Sequence, residues 1–202
     1  MQEIIIASKN SGKVREFQEL FINFPCKIIS LQELPAVVEP EETGNTFLAN
    51  ATLKAQYYAR HYHKPCLADD SGIAVEALAG APGVYSARYA GPKASDLDNI
   101  KLLLANMQDV DNRACQFICA LALVNAQGEL LFTAQGECQG NLLTEPQGTN
   151  GFGYDPIFYS LDLNKSLATA SASEKNSISH RARALQRLVK DLESYYALSS
   201  SK

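Results

Sequence analysis

Four apolar residues, Ile4-Ile5-Ile6-Ala7, run straight into Ser8-Lys9-Asn10-Ser11-Gly12, and helical periodicity follows through Val14, Phe17, Leu20 and Phe21. A short isoleucine-rich run of this kind reads as a buried strand, and strand–turn–helix is the usual opening of an α/β chain. The pattern then predicts a first helix over 13–24, a strand over 27–31, an acidic loop over 35–44, and a helix over 46–62 with Thr46 as its N-cap. A third strand over 67–69 ends directly at Asp69-Asp70-Ser71-Gly72, and Ile73–Leu78 follows. A glycine- and alanine-rich loop over 79–91 is longer than a connection needs to be. Ser95 caps a helix to 107, and strands over 113–125 and 129–142 are joined by the hairpin signal Asn125-Ala126-Gln127-Gly128. A second glycine-rich loop (144–156), a helix over 177–196 and a frayed Ser199-Ser200-Ser201 tail complete the chain. The expected fold is α/β: a mixed, highly twisted sheet flanked by helices, one domain over 1–202 in two lobes with a central cleft.

With 202 residues, 46% of them hydrophobic and 20% charged, the chain can bury a substantial core. Eighteen basic and 22 acidic residues give a net charge of -4, which argues against a nucleic-acid partner, since that needs a basic face. One bound nucleotide stays compatible with that balance, because a few local lysines and a divalent cation neutralise a triphosphate. Met1-Gln2-Glu3 lacks the basic start of a signal peptide, and the longest apolar stretch, Ile118 to Val124, is strand-sized. A cytoplasmic protein without a membrane partner is expected. The five cysteines are odd in number, without CxxC spacing, and read as buried apolar side chains. His61, His63 and Cys66 lack a fourth ligand, and a helix end before Pro65 explains them.

Five polar segments carry candidate chemistry. Ser8-Lys9-Asn10-Ser11-Gly12-Lys13 joins a strand to a helix, so its N–H groups, the helix dipole and Lys13 suit an anion; a capped helix start with a surface lysine is the alternative. It is not a Walker A sequence. Asn50 and Lys54 lie four apart on one helix face below Glu42-Thr43-Gly44, where they suit phosphate oxygens or remain solvated. Asp69 and Asp70 at a strand end suit Mg²⁺ with substrate phosphates, or a general base of raised pKa, or an Asx-turn. In Gly151-Phe152-Gly153-Tyr154-Asp155-Pro156, Phe152 offers a flat face for a base and Asp155 an acceptor for a ring N–H; a tight loop around a buried aromatic is the other reading. Lys175 precedes Ser179-His180-Arg181 at the start of the last helix, where His180, one of three histidines, is a candidate; three surface histidines are the other reading.

Taken together and in this order, these segments resemble the Ham1/ITPase family of non-canonical purine nucleoside-triphosphate pyrophosphatases. The likeness runs through Ile5–Phe17, Glu42–Ala55, Leu67–Gly91, Gly151–Phe158 and Glu174–Leu185. It implies hydrolysis of ITP, dITP or XTP to the monophosphate and pyrophosphate, with Mg²⁺ as cofactor and a homodimer as the assembly. Ser8, Lys9, Asn10, Ser11, Gly12 and Lys13 would hold the triphosphate with Lys54, and Asn50 would support that face. Asp70 would bind Mg²⁺ and activate water, with Asp69 beside it and Glu42 as a further metal carboxylate. Ser71 would touch the substrate, Phe152 would stack on the purine, and Gly153, Tyr154, Asp155, Lys175, His180 and Arg181 would complete the base pocket. Ala49, Thr169 and Ser173 replace acidic residues common in relatives, outside the positions given to chemistry. Two readings compete: a Maf-type pyrophosphatase with another base preference, against which the GFGYD and SHR segments speak, and a nucleotide-binding protein without turnover.

Overall fold

The computed structural model describes residues 2–21 and 26–199. Seven strands form one mixed sheet in the order β2-β1-β3-β4-β5-β6-β7. In chain order the elements are β1 (Gln2–Ile6), α1 (Ser11–Leu20), β2 (Cys26–Ser30), α2 (Phe47–Tyr62), β3 (Cys66–Val75), α3 (Asp96–Asn106), β4 (Ala114–Val124) and β5 (Leu130–Leu142). Then come β6 (Phe158–Ser160), β7 (Lys165–Ser166), α4 (Ala172–Ile178) and α5 (His180–Ser199). β1 pairs parallel with β2 (Ile4 opposite Ile28) and with β3 (Ile5 opposite Cys66), whereas β5/β6 and β6/β7 are antiparallel. Among the described residues, no helix is long and apolar enough to cross a membrane.

The chain divides into two compact units, one of residues 1–70, 119–136 and 182–202, the other of 71–118 and 137–181. The boundaries fall inside β3, β4 and β5, so these three strands each contribute a segment to both units. In the first unit the sheet is buried on both faces. Strand side chains alternate. Ile4, Ile6, Leu67, Leu121 and Leu123 therefore meet Phe17 and Phe21 of α1 and Leu185, Leu188 and Leu192 of α5 on one side. Ile5, Ala7, Cys66, Ala68, Ala122 and Val124 meet Ala51, Ala55, Tyr58 and Ala59 of α2 on the other. This two-sided burial explains why Ile4–Ala7 and Ile118–Val124 are continuously apolar rather than alternating. In the second unit Ile73, Val75, Cys115, Phe117, Cys138 and Phe158 cover a core with Ile100, Leu103 and Met107 of α3. There β5 alternates, with Cys138 and Leu142 buried and Gln139 and Asn141 exposed, and Gln139 bonds across to Gln116 at 2.8 Å.

The observed elements depart from the expected ones in four places. α1 begins at Ser11 because the Asn10 side chain caps it; the expected end at Phe24 lies outside the described residues, as do Ser200 and Ser201 of the expected tail. β3 does not stop at Asp69 but runs ten residues, from Cys66 through Asp70-Ser71-Gly72 to Val75. Gly72 makes this passage feasible, since a Cβ there would collide with the Ser86 hydroxyl and the Gly83 carbonyl. The last helix is two helices. Ser179 adopts an extended backbone (φ -63°, ψ 153°) that breaks the ladder between α4 and α5, and a capping box of Ser171 and Glu174 starts α4. β6 and β7, at three and two residues, are too short to leave a periodicity in the sequence.

Candidate functional site

A carboxylate inside a buried strand is costly unless it is paired and hydrogen-bonded. Asp69 and Asp70 occupy successive positions of β3 and are 2% and 6% exposed. The strand's alternation sends them to opposite faces, so each meets a different helix. Asp69 follows Leu67 to the α1 side, where Lys13 Nζ lies 2.8 Å from its Oδ2. Asp70 follows Ala68 to the α2 side, where Asn50 Nδ2 donates to its Oδ2 at 3.0 Å and Lys54 Nζ stands 3.6 Å from its Oδ1. The sequence suggested two carboxylates repelling one another at a strand end; the structure instead gives each its own polar partners in mid-strand.

Asn50 and Lys54 reach Asp70 together because residues four apart share a helix face. Asn50 is wholly buried, and both ends of its amide are engaged, Nδ2 by Asp70 and Oδ1 by the Gly44 N–H at 2.8 Å. Its role in this geometry is to hold Asp70 and to tie down the loop that carries Glu42. Lys54 donates to Glu42 Oε1 at 2.9 Å, so one ammonium bridges Glu42 and Asp70. Burial works against that ammonium, yet Asp70, Asp69 and Glu42 outweigh it and raise the Lys54 pKa. Burial likewise pushes the Asp70 carboxyl above the usual carboxylate range, helped by Glu42, while Lys54, Lys13 and Asn50 pull it back. A carboxylate shifted toward neutrality is suited to taking a proton.

The Ser8–Lys13 turn shows the helix start in detail. Asn10 Oδ1 accepts from the N–H groups of Gly12 (2.9 Å) and Lys13 (3.1 Å), and Ser8 Oγ accepts from Asn10 N–H (3.2 Å). The Asn10 side chain therefore caps α1 by engaging those two amides, and the cationic group of the turn that faces the carboxylates is Lys13. Lys9 points elsewhere, to Glu39 at 2.8 Å, with both partners substantially exposed; Ser11 is exposed at the helix start.

The second unit carries the other cluster. Asp155, 2% exposed, accepts from the Phe152 N–H (2.9 Å) and from Lys175 Nζ (2.6 Å), both at Oδ2. Lys175 Nζ lies 4.6 Å and the Arg181 guanidinium 5.9 Å from the Phe152 ring centroid, both within cation–π range. Gly151 is required here: its φ is +77° and a Cβ would run into the Asp155 carboxylate. Arg181, only 1% exposed, donates from Nη2 to Ser71 Oγ at 3.0 Å. His180 stacks on Phe117 with centroids 4.9 Å apart. The buried Tyr154 hydroxyl donates to the Ser86 carbonyl at 2.8 Å, and the Gly153 N–H donates to Asp96 Oδ2 at 2.7 Å.

Sequence reasoning missed the residues that fasten the 79–91 loop. Ser86 Oγ accepts from Ile73 N–H and donates to Gly83 O, while buried Asn99 accepts from Ala90 N–H and donates to Ala87 O. Neither carries a signal in the sequence: Ser86 lies within the 79–91 loop and Asn99 in the first turns of a helix, and only their burial shows that each must have partners. The histidine–cysteine reading as a helix end holds: His63 is the left-handed C-cap of α2 and Cys66 is buried at the start of β3. All five cysteines are thiols, four of them buried. No group of three or more His, Cys, Asp or Glu side chains that could cage a metal exists among the described residues. Glu42 and Asp70, bracketing one ammonium, form a two-carboxylate set instead. Such a set fits Mg²⁺, which takes one or two carboxylates and completes its shell with substrate phosphates and water.

Residues 4–191 match the Ham1 family. The dITP/XTP pyrophosphatase of Bacillus cereus is 45% identical over 199 residues, covering 97% of each chain. That of Halalkalibacterium halodurans is 45% identical over 195 residues, covering 96% of this chain and all of the relative. Among solved structures, a HAM1 protein from Coxiella burnetii superposes with a TM-score of 0.85 at 42% identity, and the Staphylococcus aureus Ham1 protein with 0.85 at 41%; each alignment covers 96% of this chain and 100% of the other.

Replacing Lys54 with Met removes the cation that most lowers the Asp70 pKa and leaves only Lys13 and Asn50 to oppose burial. The Asp70 carboxyl in Lys54→Met is expected to titrate at higher pH than in the wild type, read by ¹³C NMR of labelled aspartate. An unchanged or lower titration point would show that Lys54 is not its counter-charge.

Proposed function

Because the chain belongs to the Ham1 family, we propose that it hydrolyses non-canonical purine nucleoside triphosphates, ITP, dITP and XTP, to the monophosphate and pyrophosphate. The observation that carries this reading is the buried Asp70, held by Asn50 and flanked by Lys54 and Glu42, one residue from the Lys13-bound Asp69. Full-length similarity to dITP/XTP pyrophosphatases supports the substrate class.

In this reading Lys13 and Lys54 exchange carboxylate partners for phosphate oxygens, and the N-terminal end of α1 adds its dipole. Asp70 positions the attacking water and accepts its proton. Glu42 and Asp70 would hold Mg²⁺, which would supply charge neutralisation for the pyrophosphate leaving group. The Phe152 ring stacks on the purine. Lys175 donates toward the 6-oxo group while Asp155 accepts from N1–H; adenine, with a 6-amino group and a bare N1, would meet each of these groups with the wrong hydrogen-bonding partner. Mismatches of that kind give discrimination on the order of 10⁴. The cytosol, where the nucleotide pool resides, is the proposed location.

A homodimer is the proposed assembly. Leu48, Ala49, Leu53 and Tyr57 of α2 line an open groove of about 640 Å³, a surface on which a second copy has apolar area to bury. Sedimentation should give twice the chain mass; a monomer at micromolar concentration would remove this part of the reading.

Pyrophosphate release from ITP, dITP and XTP, with ATP and GTP as controls, tests the function directly. Release from the first three, dependent on Mg²⁺ and lost on chelation, is the expected result. Tight binding without release would favour a nucleotide-binding protein, and release confined to other bases a Maf-like preference.

A further inference from the structure

Phe152 is fastened on both sides of its own backbone. Its N–H donates to Asp155, and the following N–H, of Gly153, donates to Asp96 Oδ2 at 2.7 Å from 57 residues away in the chain. Gly153 is left-handed (φ +60°), a conformation that turns the chain sharply just beyond the ring. Asp96 occupies the first turn of α3, yet the cap of that helix is made by Ser95 and Asp98, which bond reciprocally. The Asp96 carboxylate is therefore not spent on the capping box, although it lies exposed at the helix start.

We propose that Asp96 is a positioning residue: by accepting from the Gly153 N–H it fixes the Phe152 ring as the face on which the purine stacks. This rests on the stacking role proposed above for Phe152. Asp155, which takes the neighbouring N–H, is itself bound to Lys175, so Asp96 is the anchor that reaches the ring's backbone without belonging to the Lys175 cluster. Its expected signature is a loss of base affinity with the phosphate chemistry intact.

The test measures kcat and KM for ITP with Mg²⁺ in Asp96→Ala, Asp96→Asn and Phe152→Ala. Inorganic tripolyphosphate serves as a competitor that has no base. Asp96→Ala should raise KM about tenfold, with kcat and the tripolyphosphate Ki near wild type, while Asp96→Asn, which keeps an acceptor oxygen, should stay within about threefold. An unchanged KM in Asp96→Ala overturns the proposal. So does Asp96→Asn performing as badly as Asp96→Ala, which would make charge rather than the bond responsible. Equal rises in KM and Ki with a lowered thermal midpoint would mark Asp96 as merely structural. If Phe152→Ala leaves KM unchanged, the stacking reading falls and this proposal with it; if only Phe152→Ala raises KM, Asp96 alone is excluded.

Discussion

Two adjacent aspartates in the middle of a buried strand set the terms for the first unit. A β-strand cannot carry Asp69 and Asp70 without sending them to opposite faces, and both side chains are almost wholly buried. Each face must supply its own polar partner, and the two helices that cover the sheet do so. α1 brings Lys13, and α2 brings Asn50 and Lys54 on one stripe. The placement of α1 and α2, the cap at Asn10, and the strap from Glu42 to Gly44 all serve that requirement. Asn50 joins two of these parts, since the same amide that holds Asp70 also holds the Gly44 backbone.

The second unit is governed by a different constraint, the presentation of one aromatic ring. Gly151 and Gly153 supply left-handed backbone on either side of Phe152, and Asp155 collects both the ring's own N–H and the Lys175 ammonium. Lys175 and Arg181 stand near the ring because Ser179 breaks the helix between them; a continuous helix would space them differently. Ser71, which accepts from Arg181, follows Asp70 by one peptide bond on β3, so the strand itself links the two clusters in sequence.

Much of this was legible in the sequence because it is local. The Thr46 and Ser95 caps, the β4–β5 hairpin turn and the continuous apolar runs follow from neighbouring residues. What stayed hidden depends on distant partners. That β3 continues past Asp70 was unreadable, since Asp-Asp-Ser-Gly is turn chemistry by composition and becomes strand only when lysines from two helices neutralise it. The break at Ser179 carries no glycine or proline that would mark it in the sequence. Asp96 looked like one more acid in a helix's first turn, and nothing nearby in sequence tells that its oxygen faces Gly153. Lys9, grouped with the anion turn by position, in fact points to Glu39.

The central claim is that Asp70 performs chemistry rather than only completing a buried ion-pair network. Asp70→Asn keeps the shape and removes the proton acceptor. Measured on one preparation, turnover of ITP should fall by about 10³-fold, in the range seen for loss of a general base, while the dissociation constant for the nucleotide changes little. Near-normal turnover, with or without loss of binding, would contradict the assignment and leave Asp70 a structural residue.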